Sequence, residues 1–258
     1  MGIMSAQNPA SPPPTDSAPA ADAAAIEARL DEVLARIDAA AERAGRDPRE
    51  ITVLLATKLR TPEQIAGAIT LLRERERTIA VGENRAQEIA KHADPLLAGN
   101  GVPRHFIGRL QTNKARDVIA FAELVHSVDR DDIVDALARR AELADQPRDV
   151  LIQVNTSGEE SKGGYAPVTD VLEEAVRRVR ETGLLRPVGL MTIGANTSDE
   201  EAVRASLGSL RRLRDELRER GHEDLRELSM GMSGDLEIAV EEGATIVRVG
   251  SAIFGARP

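Results

Sequence analysis

Eight short apolar runs, separated by segments with helically spaced apolar residues, are the feature that most constrains the fold of this chain. Most of the runs are continuous and rich in β-branched residues, which is typical of strands covered on both faces. The intervening segments place apolar residues three and four apart, which predicts a helix after each strand. The predicted strands span residues 51–56, 78–81, 104–107, 124–127, 150–154, 187–193, 228–230 and 245–249.

A strand–helix unit that recurs eight times predicts a single (β/α)8 TIM barrel, an α/β fold. A doubly wound open sheet is the alternative, but it uses fewer strands and usually has a glycine-rich turn after the first strand. Here residues 57–60 follow the first strand as Thr-Lys-Leu-Arg, without a glycine. We therefore expect the barrel, as one domain over 23–258, with an extra N-terminal helix over about 23–44.

Residues 1–22 are dominated by Ala, Pro, Ser and Asp. This low-complexity composition predicts a disordered N-terminal tail. The tail lacks the basic start and apolar core of a secretory signal, so we expect a cytoplasmic protein. No apolar run in the sequence reaches the length of a membrane span, and we expect no membrane association.

The chain is acidic, with 43 Asp and Glu residues against 34 Lys and Arg residues and a net charge of −9. Nucleic-acid binding needs a basic face and stacking aromatic side chains, but the chain has three Phe, one Tyr and no Trp. We therefore exclude nucleic acid as a partner. The absence of cysteine excludes disulfides, thiolate nucleophiles and Cys-based metal sites.

Two glycine turns follow the last two predicted strands. The first covers residues 231–234, Gly-Met-Ser-Gly, and the second begins at Gly250 and Ser251. Glycine lets the backbone approach a ligand closely, and free backbone N–H groups at a helix start bind anions. Because the loops after strands 7 and 8 of a barrel are a frequent phosphate site, these turns predict phosphate binding.

Lysine is scarce in this chain: Lys58, Lys91, Lys114 and Lys162 are the only lysines among 34 basic residues. Lys58 comes just after the first predicted strand, at the barrel end where active sites lie. A desolvated lysine amine condenses with carbonyls, and an amine opposite a phosphate site suits pyridoxal 5′-phosphate, which carries an aldehyde and a phosphate. The alternative is an ion-paired structural lysine. No carboxylate pair or histidine cluster is predicted at this end, so we expect no metal site.

Arg248 interrupts an otherwise apolar strand two residues before Gly250, so its side chain is predicted to point the same way as that glycine. An arginine beside the pyridine nitrogen of the cofactor stays cationic and cannot accept a proton. The ring nitrogen would then remain unprotonated, which weakens the ring as an electron sink. The alternative is a salt bridge from Arg248 to Glu237 or Glu241 at the rim.

Several longer motifs make the chain resemble the pyridoxal phosphate homeostasis protein family, which is related to the N-terminal barrel of alanine racemase. They span about residues 25–257 in the family's order. The motifs are LLATKLRTPEQI with Lys58, VGENRAQE with Asn84, HFIGRLQTNK from His105 to Lys114, LIQVNTSGEESKGG from Leu151, GLMTIGA from Gly189 and SMGMSGDLEIAVEEGATIVRVGSAIFG from Ser229.

The resemblance implies a role for each matching residue. Lys58 would form a Schiff base with pyridoxal 5′-phosphate, and Arg248 would face the pyridine nitrogen. Asn84, in the GEN motif, would lie near the cofactor. The positions implied for the phosphate are Ser233, Gly250 and Ser251, with Met232 beside them.

Three positions depart from the family pattern. Arg60 stands where a second lysine is common, Arg85 where a tyrosine is common and Arg109 where a proline is common. A relay of the cofactor to a second lysine therefore lacks a lysine at position 60. Lys162 matches a lysine of the family and remains a candidate for this relay, although we expect it to be a solvated loop lysine.

These roles predict a protein that holds pyridoxal 5′-phosphate and delivers it to apoenzymes that depend on this cofactor, with no catalytic residue of its own. A racemase of the alanine type needs a tyrosine from a further β domain, whereas this sequence ends soon after strand 8 and its only tyrosine is Tyr165. We also expect a monomer. The alternatives are a weak amino-acid racemase, a sugar-phosphate barrel in which Lys58 acts as in an aldolase, and a scaffold that binds only an inorganic anion.

Overall fold

The computed structural model describes residues 17–159 and 162–256. Its eight strands form a closed parallel barrel in which neighbours follow the chain order, and β8 pairs with β1 to complete it. All eight predicted strands are confirmed, with ends that differ by at most two residues from those expected. The strands are β1 Thr52–Ala56, β2 Ile79–Glu83, β3 Arg104–Phe106, β4 Leu124–Val128, β5 Arg148–Gln153, β6 Leu185–Met191, β7 Glu227–Ser229 and β8 Ile246–Val249.

Helices surround the barrel and connect its strands. The α-helices are α1 Ser17–Arg43, α2 Pro62–Glu74, α3 Ala115–Phe121, α4 Asp131–Ala144, α5 Thr169–Glu181, α6 Glu200–Glu219, α7 Leu236–Glu241 and α8 Ser251–Phe254. The helix predicted after β2 is present, but it is a 3-10 helix, Ala86–Ala93. It ends before Asp94, because Asp94 precedes Pro95 and a residue before proline is sterically kept out of the helical region.

The predicted extra helix is confirmed as α1, but it begins at Ser17 rather than near residue 23. The helix thus includes residues 17–22, which the composition assigned to the tail, while residues 1–16 lie outside the described part of the chain. The apolar stripe of α1 is buried, with Leu30 and Ile37 fully inaccessible. The short helices α7 and α8 have only six and four residues, and α1 packs against both of them on this side of the barrel.

Side chains of alternate residues on each strand fill the barrel interior. An apolar layer inside the barrel contains Leu54, Ala80, Leu124, Leu151, Met191 and Ile246. Residues between them on the strands, such as Leu55 and Val247, pack outward against the helices. This alternation directs Arg248 into the interior, two residues beyond Ile246, and places Lys58 on the interior face of β1 where that strand ends.

Candidate functional site

Lys58 lies at the C-terminal end of β1, two residues beyond the end of the strand at Ala56. Its side chain is half-buried, and it makes no hydrogen bond or ion pair with any residue that the structure describes. The alternative of an ion-paired structural lysine is therefore wrong. An amine held in the barrel mouth without a carboxylate partner is available for a carbonyl.

The residues on both sides of Lys58 are fixed by hydrogen bonds. The buried Thr57 donates its hydroxyl to Glu83 at 2.6 Å, and its carbonyl oxygen accepts from the Lys91 ammonium at 2.6 Å. The backbone N–H of Leu59 donates to Glu88 at 2.6 Å. Leu59 also has a left-handed backbone with a φ of 61°, a strained conformation of the kind found at functional sites. The Lys58 amine therefore extends from a rigid base.

Lys91 is a functional candidate that motif reasoning did not single out. Its ammonium lies 2.9 Å from the Glu83 carboxylate and 3.0 Å from Glu88, and the side chain is 16% exposed. It therefore neutralises two carboxylates beside the turn that carries Lys58. The scarcity of lysine in the sequence was a signal that could have identified it.

Two buried acceptor atoms at the C-terminal end of β2, the strand paired with β1, lack a partner. Glu83 is fully buried, and its Oε1 accepts from Thr57 and contacts His92 Nε2 at 2.9 Å, but its Oε2 has no hydrogen bond. The buried Oδ1 of Asn84 has none either. A buried polar atom without a partner costs about 1–3 kcal/mol. These orphaned acceptors at the mouth fit a bound polar group or ordered water.

Arg248 is buried inside the barrel, at 7% exposure. Its Nη1 donates to Ser229 Oγ and its Nη2 donates to the Thr192 carbonyl oxygen, both at 2.8 Å. Burial lowers the pKa of Arg248 to about 10, so the guanidinium stays cationic at neutral pH. Two of its five N–H groups are used by these bonds, which leaves donors for an electron-rich atom of a ligand.

The alternative for Arg248, a salt bridge to Glu237 or Glu241, is wrong. Glu237 pairs with Arg36 at 2.6 Å, while Glu241 pairs with Arg43 and Arg204 at 2.8 and 2.6 Å. These contacts lie on the outside of the barrel, where α7 meets α1 and α6. Within the described ranges, Arg248 forms no ion pair with a carboxylate, so its positive charge remains uncompensated by direct contact.

The two glycine turns, residues 231–234 and 250–251, have the form that the sequence predicts. The backbone N–H groups of Ser233, Gly250 and Ser251 donate to no acceptor among the described residues. A Cβ added at Gly250 would lie 3.2 Å from the backbone oxygen of Ala56, so this turn passes close to β1. Free amides at two adjacent turns can bind the oxygens of a phosphate.

Met232 contributes less to these turns than its neighbours do. Its backbone N–H already donates to Asp235 Oδ1 at 2.6 Å, so it is not free for an anion. The side chain is 39% exposed, which leaves an apolar surface beside the turn. Met232 can therefore contact a ligand through its thioether side chain.

Strand register places Lys58, Arg248 and the two turns at one end of the barrel. Leu54 pairs with Arg248 across the β1–β8 seam. Lys58 follows Leu54 by four residues and lies in the turn just beyond the end of β1 at Ala56. An amine, a guanidinium and two sets of free amides thus meet over β7, β8 and β1, a set of groups suited to an aromatic aldehyde that carries a phosphate.

Two residues of the family motifs, His105 and Arg60, point elsewhere. His105 lies inside the barrel and borders a cavity of about 460 Å³. Thr52 and Glu227, the first residues of β1 and β7, also line this cavity, so it lies at the barrel end opposite the mouth. Arg60 turns toward the end of α8, where it donates to the Gly255 carbonyl oxygen at 2.8 Å and lies over the Phe254 ring. Neither side chain is oriented toward Lys58 by these contacts.

Lys162 is not the solvated loop lysine that we expected. Its ammonium donates to the Gly194 carbonyl oxygen and to Glu159, both at 2.7 Å, and its side chain is 17% exposed. It thereby joins the loops after β5 and β6. Asn155 holds the same β5 loop by donating to the carbonyl oxygens of Glu159 and Lys162.

Tyr165 is held by a hydrogen bond to α4. Its hydroxyl donates to Asp131, at the start of α4, at 2.7 Å. Burial, together with the Asp131 carboxylate, raises the pKa of Tyr165 above its usual value. This tyrosine is therefore a poor proton acceptor in its observed position.

A cavity of about 320 Å³ adjoins Asn84 at the mouth side of the barrel. Arg85, Arg109 and Lys114 line it, so two of the departures from the family pattern meet in one place. The nearest carboxylate contact of Arg109 is to Asp129, at 3.9 Å. Three cations outnumber the one carboxylate of the lining, Glu88, so the cavity is attractive to anions.

Two further properties bear on the kind of site this is. In the part of the chain that the structure describes, no three His, Asp or Glu side chains converge so as to hold a metal ion. Across the same residues, no helix is long and apolar enough to cross a membrane.

Comparisons with known proteins identify similar chains over almost the full length. The family model described as alanine racemase, N-terminal domain, matches residues 18–258. A protein of Aquifex aeolicus described as a pyridoxal phosphate homeostasis protein is 42% identical over 229 residues, which cover 89% of this chain and 97% of that protein.

Two solved structures are also similar. An unknown protein from Bifidobacterium adolescentis superposes with a TM-score of 0.82 at 38% identity, covering 90% of this chain and 96% of that one. PipY of Synechococcus elongatus, solved with PLP bound, superposes with a TM-score of 0.70 at 29% identity, covering 86% of this chain and all of PipY.

Proposed function

Because this chain belongs to the pyridoxal phosphate homeostasis protein family, we propose that it binds pyridoxal 5′-phosphate reversibly through a Schiff base on Lys58. The observation that carries the proposal is the unpaired Lys58 amine at the same barrel end as the buried, carboxylate-free Arg248. PipY, whose structure has PLP bound, supports the choice of cofactor.

Different groups of the chain would bind different parts of the cofactor. The free amides of Ser233, Gly250 and Ser251 would hold the phosphate, with the Met232 side chain packing beside it. Arg248 would donate a hydrogen bond to the pyridine nitrogen. Asn84, whose Oδ1 is buried without a partner, would accept a hydrogen bond at the mouth.

The cofactor supplies an aldehyde that condenses with an amine and a ring that withdraws electrons. Arg248 limits the electron withdrawal by the ring, because a cationic guanidinium donates hydrogen bonds to the ring nitrogen and does not protonate it. Tyr165 is held by Asp131. Both features favour holding the cofactor over sustained proton transfer on a bound amino acid, so we assign no catalytic residue.

We propose that the protein keeps the cofactor available and delivers it to apoenzymes that depend on it, acting as a monomer. A reversible covalent bond suits this role, because the free cofactor is a reactive aldehyde and the bond can exchange with another amine. A weak amino-acid racemase is the second candidate. It is favoured only by the presence of a second ammonium, that of Lys91, near the Lys58 turn.

The deciding experiment is the visible absorbance of the purified protein after incubation with pyridoxal 5′-phosphate and desalting. Wild type should be yellow, and borohydride followed by peptide mass spectrometry should locate the reduced cofactor on Lys58. Lys58→Ala should be colourless, whereas Lys114→Ala, a matched change of another lysine, should keep the colour.

Each alternative function predicts a different result. A wild type that stays colourless refutes the proposal and leaves the two turns as a site for a sugar phosphate or an inorganic anion. Yellow protein that interconverts L- and D-amino acids, with turnover lost in Lys58→Ala, would instead establish the racemase.

A further inference from the structure

Four polar side chains form a continuous hydrogen-bonded chain across the barrel interior. Arg248 Nη1 lies 2.8 Å from Ser229 Oγ, Ser229 Oγ lies 2.8 Å from His126 Nδ1, and His126 Nε2 lies 3.0 Å from His105 Nδ1. The four come from β8, β7, β4 and β3, and each is between 0 and 7% exposed. The chain therefore links the Arg248 guanidinium to side chains deep inside the barrel.

One arrangement of donors and acceptors gives every group in this chain a partner. Arginine can only donate, so Ser229 Oγ accepts from Arg248. The Ser229 hydroxyl proton then goes to His126 Nδ1, since no other described acceptor lies within reach of it. His126 must carry its own proton on Nε2 and donate it to His105 Nδ1.

Burial keeps both histidines neutral. It lowers the pKa of His105 to about 4 and that of His126 well below its usual value, with the positive charge of Arg248 adding to the effect at His126. The chain consequently holds a single positive charge, and that charge is at the Arg248 end. A neutral hydroxyl polarised by an imidazole can orient the guanidinium without cancelling its charge, which a carboxylate would do.

The other roles that a buried histidine pair often has do not fit. A metal site needs a third ligand, and none converges here within the described ranges. Direct contact with a ligand at the mouth does not fit either, because Ser229 separates His126 from Arg248.

We propose that Ser229 and His126 are positioning residues that fix the orientation of the Arg248 guanidinium toward the cofactor ring. Thr192 supplies the second fixed point through its carbonyl oxygen, so the two terminal nitrogens are each held by one bond. This inference rests on the proposed function. It adds two residues that contact no ligand yet determine how firmly the ring nitrogen is bound.

The test compares Ser229→Ala and His126→Phe with a matched control, Ser127→Ala. Ser127 is the next residue on β4 and is equally buried, but its hydroxyl has no partner. The measurements are the dissociation constant for pyridoxal 5′-phosphate and the absorbance maximum of the bound cofactor. We expect both test variants to bind about tenfold more weakly, as for loss of a hydrogen bond to a charged group, and to shift the maximum. His126→Gln, which can both accept and donate, should recover part of the affinity.

A second measurement needs no cofactor and no variant. ¹⁵N NMR of histidine-labelled wild type at neutral pH should show His126 with a bare Nδ1 and a protonated Nε2. The opposite tautomer, or a doubly protonated ring, would overturn the chain of donors and hence the inference.

The outcomes separate this inference from the proposed function. If wild type binds the cofactor and Ser229→Ala matches Ser127→Ala in affinity and spectrum, the positioning role is wrong and the function stands. If wild type does not bind the cofactor at all, the proposed function is wrong and the positioning role is refuted with it.

Discussion

Replacing His105 by Asn should flatten the dependence of stability on pH between about 4 and 6.5. Burial lowers the pKa of His105 to about 4 from its ordinary value of 6.5, so in this range the unfolded chain binds a proton that the folded chain does not. Stability rises with pH wherever the unfolded state binds more protons. The folded protein therefore loses stability as the pH falls from 6.5 toward 4, and it retains this contribution fully above 6.5.

The size of the change in stability follows from the pKa shift of His105. One pKa unit corresponds to about 1.4 kcal/mol, so a shift from 6.5 to about 4 amounts to roughly 3 kcal/mol over the whole range. Asparagine keeps an oxygen close to the position of Nδ1, so it can still accept from His126, but it cannot titrate. The His105→Asn variant should lose the dependence of stability on pH that comes from His105 and keep the part that comes from His126.

Urea unfolding at a series of pH values between 3.5 and 7.5 measures this difference. The free energy of unfolding of wild type minus that of His105→Asn should fall by roughly 3 kcal/mol from the top of the range to the bottom. Ser127→Ala, a buried change without a titrating group, should shift the curve without altering its slope. A constant difference between wild type and His105→Asn would show that His105 is not held neutral by burial, and the reasoning would be wrong.

Three further predictions concern the loops around the mouth. Gly108→Ala would place a Cβ 2.0 Å from the Asn84 backbone oxygen, so it should lower the free energy of unfolding by at least about 1–3 kcal/mol. Gly67→Ala, which points into open space on α2, should raise that free energy by about 1 kcal/mol. Thermal unfolding of the two variants checks this, and equal effects would contradict it. Changing Arg85 and Arg109 to Gln should slow the association of pyridoxal 5′-phosphate at low salt but not at high salt. Stopped-flow absorbance measures this rate. A decrease that does not depend on salt would indicate direct contact instead. Leu59→Gly, at a φ of 61°, should raise the free energy of unfolding in urea by up to about 1 kcal/mol, and a decrease would show that the Leu59 backbone carries no strain.

The strands, the two glycine turns and the place of Lys58 at a strand end were predictable from the sequence because each depends on residues close together in the chain. A continuous β-branched run such as 245–249 specifies its own strand, and the glycines 231 and 250 mark turns without reference to the rest of the molecule. The inward direction of Arg248 followed from alternation along one strand. The 3-10 form of Ala86–Ala93 was missed because its helical spacing resembles that of a short α-helix.

Side-chain partners across the barrel were decided only by the tertiary structure. Ser229 and His126 are 103 residues apart in sequence, and nothing local indicates that one hydroxyl would join a histidine to Arg248. Lys91 likewise reaches the turn of Lys58 only in the folded sheet, because the end of β1 and the helix after β2 meet when these two strands pair. The sequence by itself determined which chemical groups stand at the barrel mouth. The closing of the sheet decided which of them are paired and which are left free, because hydrogen bonds between distant strands depend on register and burial that no single segment contains.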